Sequence, residues 1–186
     1  MQRVDFFYDI GSPYSYIAAT QVSRLASLAE VHWRPFLIGG VFKATGNQPP
    51  AMLAARAPYL RKDLERLAAF YRIPFQMPSR FPLNTLLTMR SLHAVEPSVV
   101  DVTSMALFEA YWVEDRDVGD PEVLVSLLGK EVVERAGTDA VKVSLKDATD
   151  EAVMRGAFGA PSFFLEDELY FGEDRLFLLE HALKRA

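Results

Sequence analysis

Ser12 stands where an apparent strand hands over to a helix, within Asp9-Ile10-Gly11-Ser12-Pro13-Tyr14-Ser15-Tyr16. Val4 to Tyr8 is an apolar run that reads as a strand, while Tyr14, Ile17, Ala18, Val22, Leu25 and Ala29 recur at helical spacing. Ser is a favoured N-cap, and Pro13 suits the first helical position, where its missing N–H removes no bond and its φ is already helical. Backbone donors at such an end face outward with the positive end of the helix dipole behind them. An anion placed there is stabilised by roughly 0.3–1 kcal/mol, and by more where it is partly buried. A thiolate would fit. The plainer reading is that Ser-Pro only starts a helix, and these few residues leave both readings open.

The sequence contains no cysteine, so disulfides, thiolate metal sites, cysteine nucleophiles and dithiol redox chemistry by the chain itself are all excluded. Any sulfur chemistry must come from a bound molecule. His32, His93 and His181 fall in separate elements, none paired at metal-ligand spacing, so no metal site is expected. Ser12 lacks the Gly-x-Ser-x-Gly elbow of a serine hydrolase, and Gly39-Gly40 is no phosphate loop. Twenty Lys plus Arg against 25 Asp plus Glu give a net charge of −5, which argues against a general nucleic-acid or anionic-membrane binder. With neither a signal-peptide pattern nor a long apolar run, the expectation is a cytoplasmic protein without a membrane span.

The 186 residues, half of them hydrophobic, suffice for one well-packed domain with an inserted subdomain. After the first strand and helix, Val31 to Phe36 reads as a second strand, and Leu37 to Gln48 as a loop with a short helix. Helices are expected from Pro58 to Tyr71, Leu83 to Ala94, Ser98 to Glu114, Pro121 to Leu128 with Asp120 as N-cap, and Glu131 to Ala136. Another runs from Ser144 to Phe158. Ser162 to Leu165 and Leu169 to Phe171 then form a hairpin around Glu166-Asp167, and a last helix starts near Asp174. The order βαβ, helices, αββα is an α/β thioredoxin-like fold with a long all-helical insertion. Residues 1–38 and 144–186 form the thioredoxin-like part, and 39–143 the insertion, which is expected to rest on the sheet layer.

In thioredoxin-like folds a Cys-x-x-Cys motif opens the first helix, and DsbA-type oxidoreductases have Pro second. Here the motif is Ser12-Pro13-Tyr14-Ser15, with hydroxyls in place of both sulfurs. Phe158-Gly159-Ala160-Pro161-Ser162-Phe163 looks like the cis-proline element that faces this turn. The chain further resembles the 2-hydroxychromene-2-carboxylate isomerases and the related kappa-class glutathione transferases. The resemblance is carried by Phe7-Tyr8-Asp9 with Ser12 to Tyr16, Arg34-Pro35 with Gly39, Gly46 to Met52, Asn84-Thr85, Phe158 to Ser162, and Phe171 to Arg175. Each piece is weak alone; their order is specific.

The resemblance implies glutathione as the source of the missing thiol. Ser12, followed by Pro13 and Tyr14, would hydrogen-bond its sulfur and lower its pKa. Asn47 and Arg56, where the family often has Lys, would contact the peptide or its glycyl carboxylate. Ala160, beside Pro161, would pair with the cysteinyl backbone, and Gly172, Glu173, Asp174 and Arg175 would hold the γ-glutamyl group. Lys43, Asn47 and Asn84 are candidates for substrate contact. Plainer roles stay open: Asp174 as an N-cap, Arg175 as a surface ion-pair partner, Lys43 as a solvated lysine, Asn84 as a helix cap. Tyr8, Phe36, Phe81 and Trp112 read as core.

The implied activity is glutathione-dependent cis-trans isomerisation of 2-hydroxychromene-2-carboxylate to trans-o-hydroxybenzylidenepyruvate in naphthalene breakdown, by a homodimer acting on a small aromatic carboxylate. Glutathione conjugation or peroxide reduction is the alternative the kappa-class resemblance allows. A thioredoxin-like module that binds without chemistry is the third.

Overall fold

The computed structural model describes residues 1–49 and 57–185. Four strands, β1 (Gln2–Tyr8), β2 (Ala29–Pro35), β3 (Ser162–Leu165) and β4 (Glu168–Phe171), form one mixed sheet in the order β2-β1-β3-β4. β1 runs parallel to β2 and antiparallel to β3, placing Phe6 opposite both Trp33 and Phe163; β3 and β4 are the expected antiparallel hairpin. Val4, Phe6 and Tyr8 alternate onto the larger core, and Phe7 faces a smaller one with Phe36 and Phe164. Phe6 stacks on Phe163 at 4.7 Å between ring centroids, while Phe7 meets Phe36 and Phe164 edge-on at 5.8 and 5.6 Å. A one-residue slip would exchange these two faces, so aromatic burial on both sides fixes the strand's register.

The helices are α1 (Pro13–Gln21), α2 (Ile38–Thr45), α3 (Ala57–Tyr71), α4 (Leu86–Ala94), α5 (Val100–Trp112), α6 (Pro121–Leu128), α7 (Lys130–Arg135), α8 (Asp139–Met154) and α9 (Leu176–Leu183). Leu60 and Leu64 of α3, Met89 of α4, and Leu107, Phe108 and Trp112 of α5 belong to the same buried cluster as Val4, Phe6 and Tyr8. The inserted helices therefore share the sheet's core. The thioredoxin-like α/β architecture with a helical insertion, expected from the order of elements, is the architecture observed.

Several boundaries differ from the sequence reading: α4 starts at Leu86 and α8 ends at Met154, and two differ by more. α1 ends at Gln21 in a 3-10 turn over Val22–Leu25, and Ala29 already pairs with Gln2 in the sheet. The apolar spacing that seemed to carry the helix to Ala29 reflects burial against the sheet. α8 starts at Asp139, well before Ser144, with Thr138 in extended conformation at the N-cap and Asp139 in the first turn; the Ser144 hydroxyl, inside the helix, meets His93 Nδ1 at 2.8 Å. Asp120 does cap α6, accepting the Glu122 N–H at 2.7 Å. Among the described residues no helix is long and apolar enough to cross a membrane.

Candidate active site

The turn between β1 and α1 is fastened from several directions. Ser12 takes extended backbone angles as the N-cap of α1, and its Oγ accepts the Ser15 N–H at 3.2 Å, with Pro13 at the first helical position. Its own N–H donates to the Asp9 carbonyl at 2.9 Å. Trp112 Nε1 donates to the Ile10 carbonyl at 2.8 Å, and the Ile10 N–H meets Met89 Sδ at 3.4 Å. The Asp9 side chain is fully buried: Oδ1 accepts the Gly11 N–H at 2.9 Å and the Thr85 hydroxyl at 2.8 Å, and Oδ2 accepts the Ile38 N–H at 2.9 Å. Burial pushes this carboxyl above its ordinary pKa against the opposing pull of those donors. One carboxylate thus joins the Ser12 turn, the first residue of α2 and the approach to α4.

Across from Ser12 the Ala160–Pro161 peptide is cis, as the sequence element suggested; Phe81–Pro82 is cis as well, which the sequence reading did not anticipate. The Ser12 hydroxyl donates to the Ala160 carbonyl at 3.1 Å. Between these elements opens a cavity of about 750 Å³ whose walls include Ser12, Pro13, Tyr14, Asn47, Asn84, Ala160, Pro161, Gly172, Glu173 and Asp174. Candidate residues from five separated segments therefore meet at one place.

Others do not. Phe42 lines the cavity, but its neighbour Lys43 is exposed and absent from the walls, as is Arg175, which pairs with Asp174 at 2.7 Å on the surface. Arg56 lies outside the described residues. Asn47 spends its amide on the fold, donating to the Phe158 carbonyl at 2.9 Å and bridging two segments of the wall. Asn84 lines the cavity, and its Oδ1 accepts the Leu86 N–H at 3.1 Å, while the N-cap position of α4 belongs to Thr85. Asp174 caps nothing; its carboxylate folds over Gly172, which has φ +99° and where an added Cβ would lie 2.6 Å from Oδ1. The Gly172 N–H donates to the Pro161 carbonyl at 3.0 Å and that of Arg175 to Gly172 at 3.4 Å, so neither is free for an anion. Tyr8, Phe36 and Trp112 are core with no exposure, whereas Phe81 lines the cavity.

Several wall residues went unnoticed in the sequence. Asp63 of α3 accepts the Tyr14 hydroxyl at 2.8 Å, tying the start of α1 to the insertion. Its position beside the apolar stripe Leu60, Leu64 and Leu67 was the available signal. Phe158 and Phe171 pack with rings tilted by 42° and centroids 4.3 Å apart on the wall, both partly exposed.

The cavity is apolar along Leu37, Ile38, Phe42, Phe81, Leu83 and Leu86 and acidic at one end, where Asp63, Glu173 and Asp174 converge. Glu173 is 5% exposed, and the Tyr71 hydroxyl donates to it at 3.2 Å. Burial pushes its carboxyl up, opposed by the Tyr71 hydrogen bond and reinforced by Asp174 and Asp63. A carboxyl whose folded pKa is raised contributes stability below its unfolded value, and that stability is lost as pH rises through the folded pKa. Glu173→Gln should therefore melt higher than the parent at pH 7, with the gap closing towards pH 4; equal melting temperatures at both pH values would show that Glu173 is not strained by its surroundings.

The chain can be set beside known proteins. The family model described as a DSBA-like thioredoxin domain matches residues 3–184. Glutathione S-transferase kappa 1 of Homo sapiens is 30% identical, with the alignment covering 98% of this chain and 91% of that one. 2-Hydroxychromene-2-carboxylate isomerase of Pseudomonas sp. (strain C18) is 33% identical over 97% of this chain and 89% of its own. A solved structure of a 2-hydroxychromene-2-carboxylate isomerase superposes with a TM-score of 0.88 at 28% identity, covering 98% and 95% of the two chains. Over nearly its whole length, this chain belongs to the DsbA-like thioredoxin family.

Proposed function

We propose that the protein is a glutathione-dependent enzyme that rearranges a small unsaturated molecule, as the name of the isomerases similar to it suggests. The observation that carries the reading is Ser12 Oγ, fixed at the N-terminus of α1 on the wall of a 750 Å³ cavity in a chain without cysteine. A hydroxyl that donates to a sulfur, next to the positive end of a helix, favours the ionised form of that sulfur.

The residues present fit the sulfur, the peptide and the ammonium group of glutathione by their chemistry. Ser12 would meet the sulfur, Ala160 offers its backbone to the peptide as an added strand would, and the acidic corner of Asp63, Glu173 and Asp174 suits an ammonium group. The ligand supplies a thiolate that can add to a conjugated carbon, loosen the double bond for rotation, and leave again. The chain's part is to hold the sulfur ionised, exclude water with the apolar wall, and orient the partner beside it.

Conjugation of glutathione to an electrophile is the second reading, favoured by one feature. Every charged side chain on the cavity wall among the described residues is acidic, and Lys43 lies outside it. A neutral apolar electrophile suits that wall better than a carboxylate. Incubation with glutathione and either 2-hydroxychromene-2-carboxylate or an aryl halide separates the two: turnover of the former supports the isomerase, and turnover of the aryl halide alone the transferase. A cytoplasmic location, where glutathione is abundant, and a homodimer complete the proposal. Light scattering on the purified chain tests the latter, with a monomer as the contrary result.

A further inference from the structure

We propose that the Ser12 hydroxyl is handed from the Ala160 carbonyl to the ligand's sulfur when the ligand's own peptide N–H takes its place on Ala160. This makes peptide pairing and sulfur ionisation one coupled event. The inference rests on the glutathione reading above.

Ser12 Oγ lies 3.1 Å from the Ala160 carbonyl oxygen and receives the Ser15 N–H at 3.2 Å. A carbonyl oxygen only accepts, and Ser15 brings its own hydrogen, so the single hydroxyl hydrogen of Ser12 must point at Ala160. That hydrogen cannot serve a sulfur in the cavity at the same time. To stabilise a thiolate, Ser12 has to turn away from Ala160, a residue 8% exposed, whose carbonyl then loses the Ser12 donor. Leaving a buried acceptor unpaired opposes the turn.

A ligand with an amide N–H next to its sulfur removes that obstacle. Ala160 and Pro161 line the cavity beside Ser12, so an extended peptide lying along them can give its N–H to the Ala160 oxygen. Ser12 keeps the Ser15 N–H as acceptor and rotates only its hydrogen. The thiol proton leaves to solvent, and no covalent bond of the protein forms or breaks. A thiol without such an N–H leaves Ser12 on Ala160 and remains protonated. The site thereby ionises the sulfur of a bound peptide in preference to that of a small thiol.

The test compares glutathione with its depsipeptide analogue, in which an ester oxygen replaces the cysteinyl N–H. For each, the thiol pKa is measured free and bound by ultraviolet titration, with binding followed by calorimetry. The bound-state lowering should be greater for glutathione by about one pH unit, the scale of one buried hydrogen bond. In Ser12→Ala the two ligands should show equal lowering. Equal lowering in the parent protein overturns the hand-over, as does a gap that survives in Ser12→Ala. Glutathione that fails to bind at all would overturn the functional reading itself, a result distinct from either.

Discussion

Ser12→Ala should fold normally, bind glutathione, and lose about tenfold or more in turnover, the loss of thiolate that goes with about one pH unit in the thiol pKa. Ser12 is 5% exposed, and its hydroxyl makes two hydrogen bonds, to the Ser15 N–H and the Ala160 carbonyl. Losing the first removes a helix cap, worth about 1 kcal/mol. Losing the second leaves a carbonyl that a bound peptide can still satisfy. The stability change is therefore modest, and the functional change is large because alanine has no hydrogen to give the sulfur. Parallel measurement of melting temperature and turnover separates the two effects. A variant that keeps parental turnover would remove Ser12 from the chemistry.

The second large effect is on stability. Asp9→Ala should destabilise the fold by about 3 kcal/mol or more, because it orphans the Gly11 N–H, the Ile38 N–H and the Thr85 hydroxyl in a buried place, at roughly 1–3 kcal/mol each. Relief from burying a carboxyl with a raised pKa offsets part of this. Asp9→Asn should lose less: its Oδ1 can still serve Gly11 and Thr85, leaving only the Ile38 N–H facing an amide. Denaturant unfolding of the two variants gives the order. An Asp9→Ala protein within about 0.5 kcal/mol of the parent, the range of neutral surface changes, would mean that this carboxylate does not join the three segments.

What the sequence revealed and what it hid divide along the range of the interactions. The Ser12 turn is local: a Ser-Pro start after an apolar strand is visible within a few residues. The Ala160-Pro161 element and the β3–β4 hairpin are similarly compact. Asp9 was quoted in the motif without a role, because its partners Ile38 and Thr85 lie far along the chain. Lys43 was a candidate because a carboxylate substrate calls for a cation; on α2 the cavity-facing position belongs to Phe42. The Gly172 N–H looked free for an anion until the fold brought Pro161 beside it. Local chemistry was legible, and the allocation of each donor and acceptor required the tertiary structure.

The central claim is that a borrowed sulfur is held ionised beside residue 12. Titrating the thiol of glutathione bound to the native protein tests it most directly. The account predicts saturable binding with a thiol pKa below that of free glutathione; no binding at about one millimolar, or a bound thiol that titrates like the free one, would contradict it.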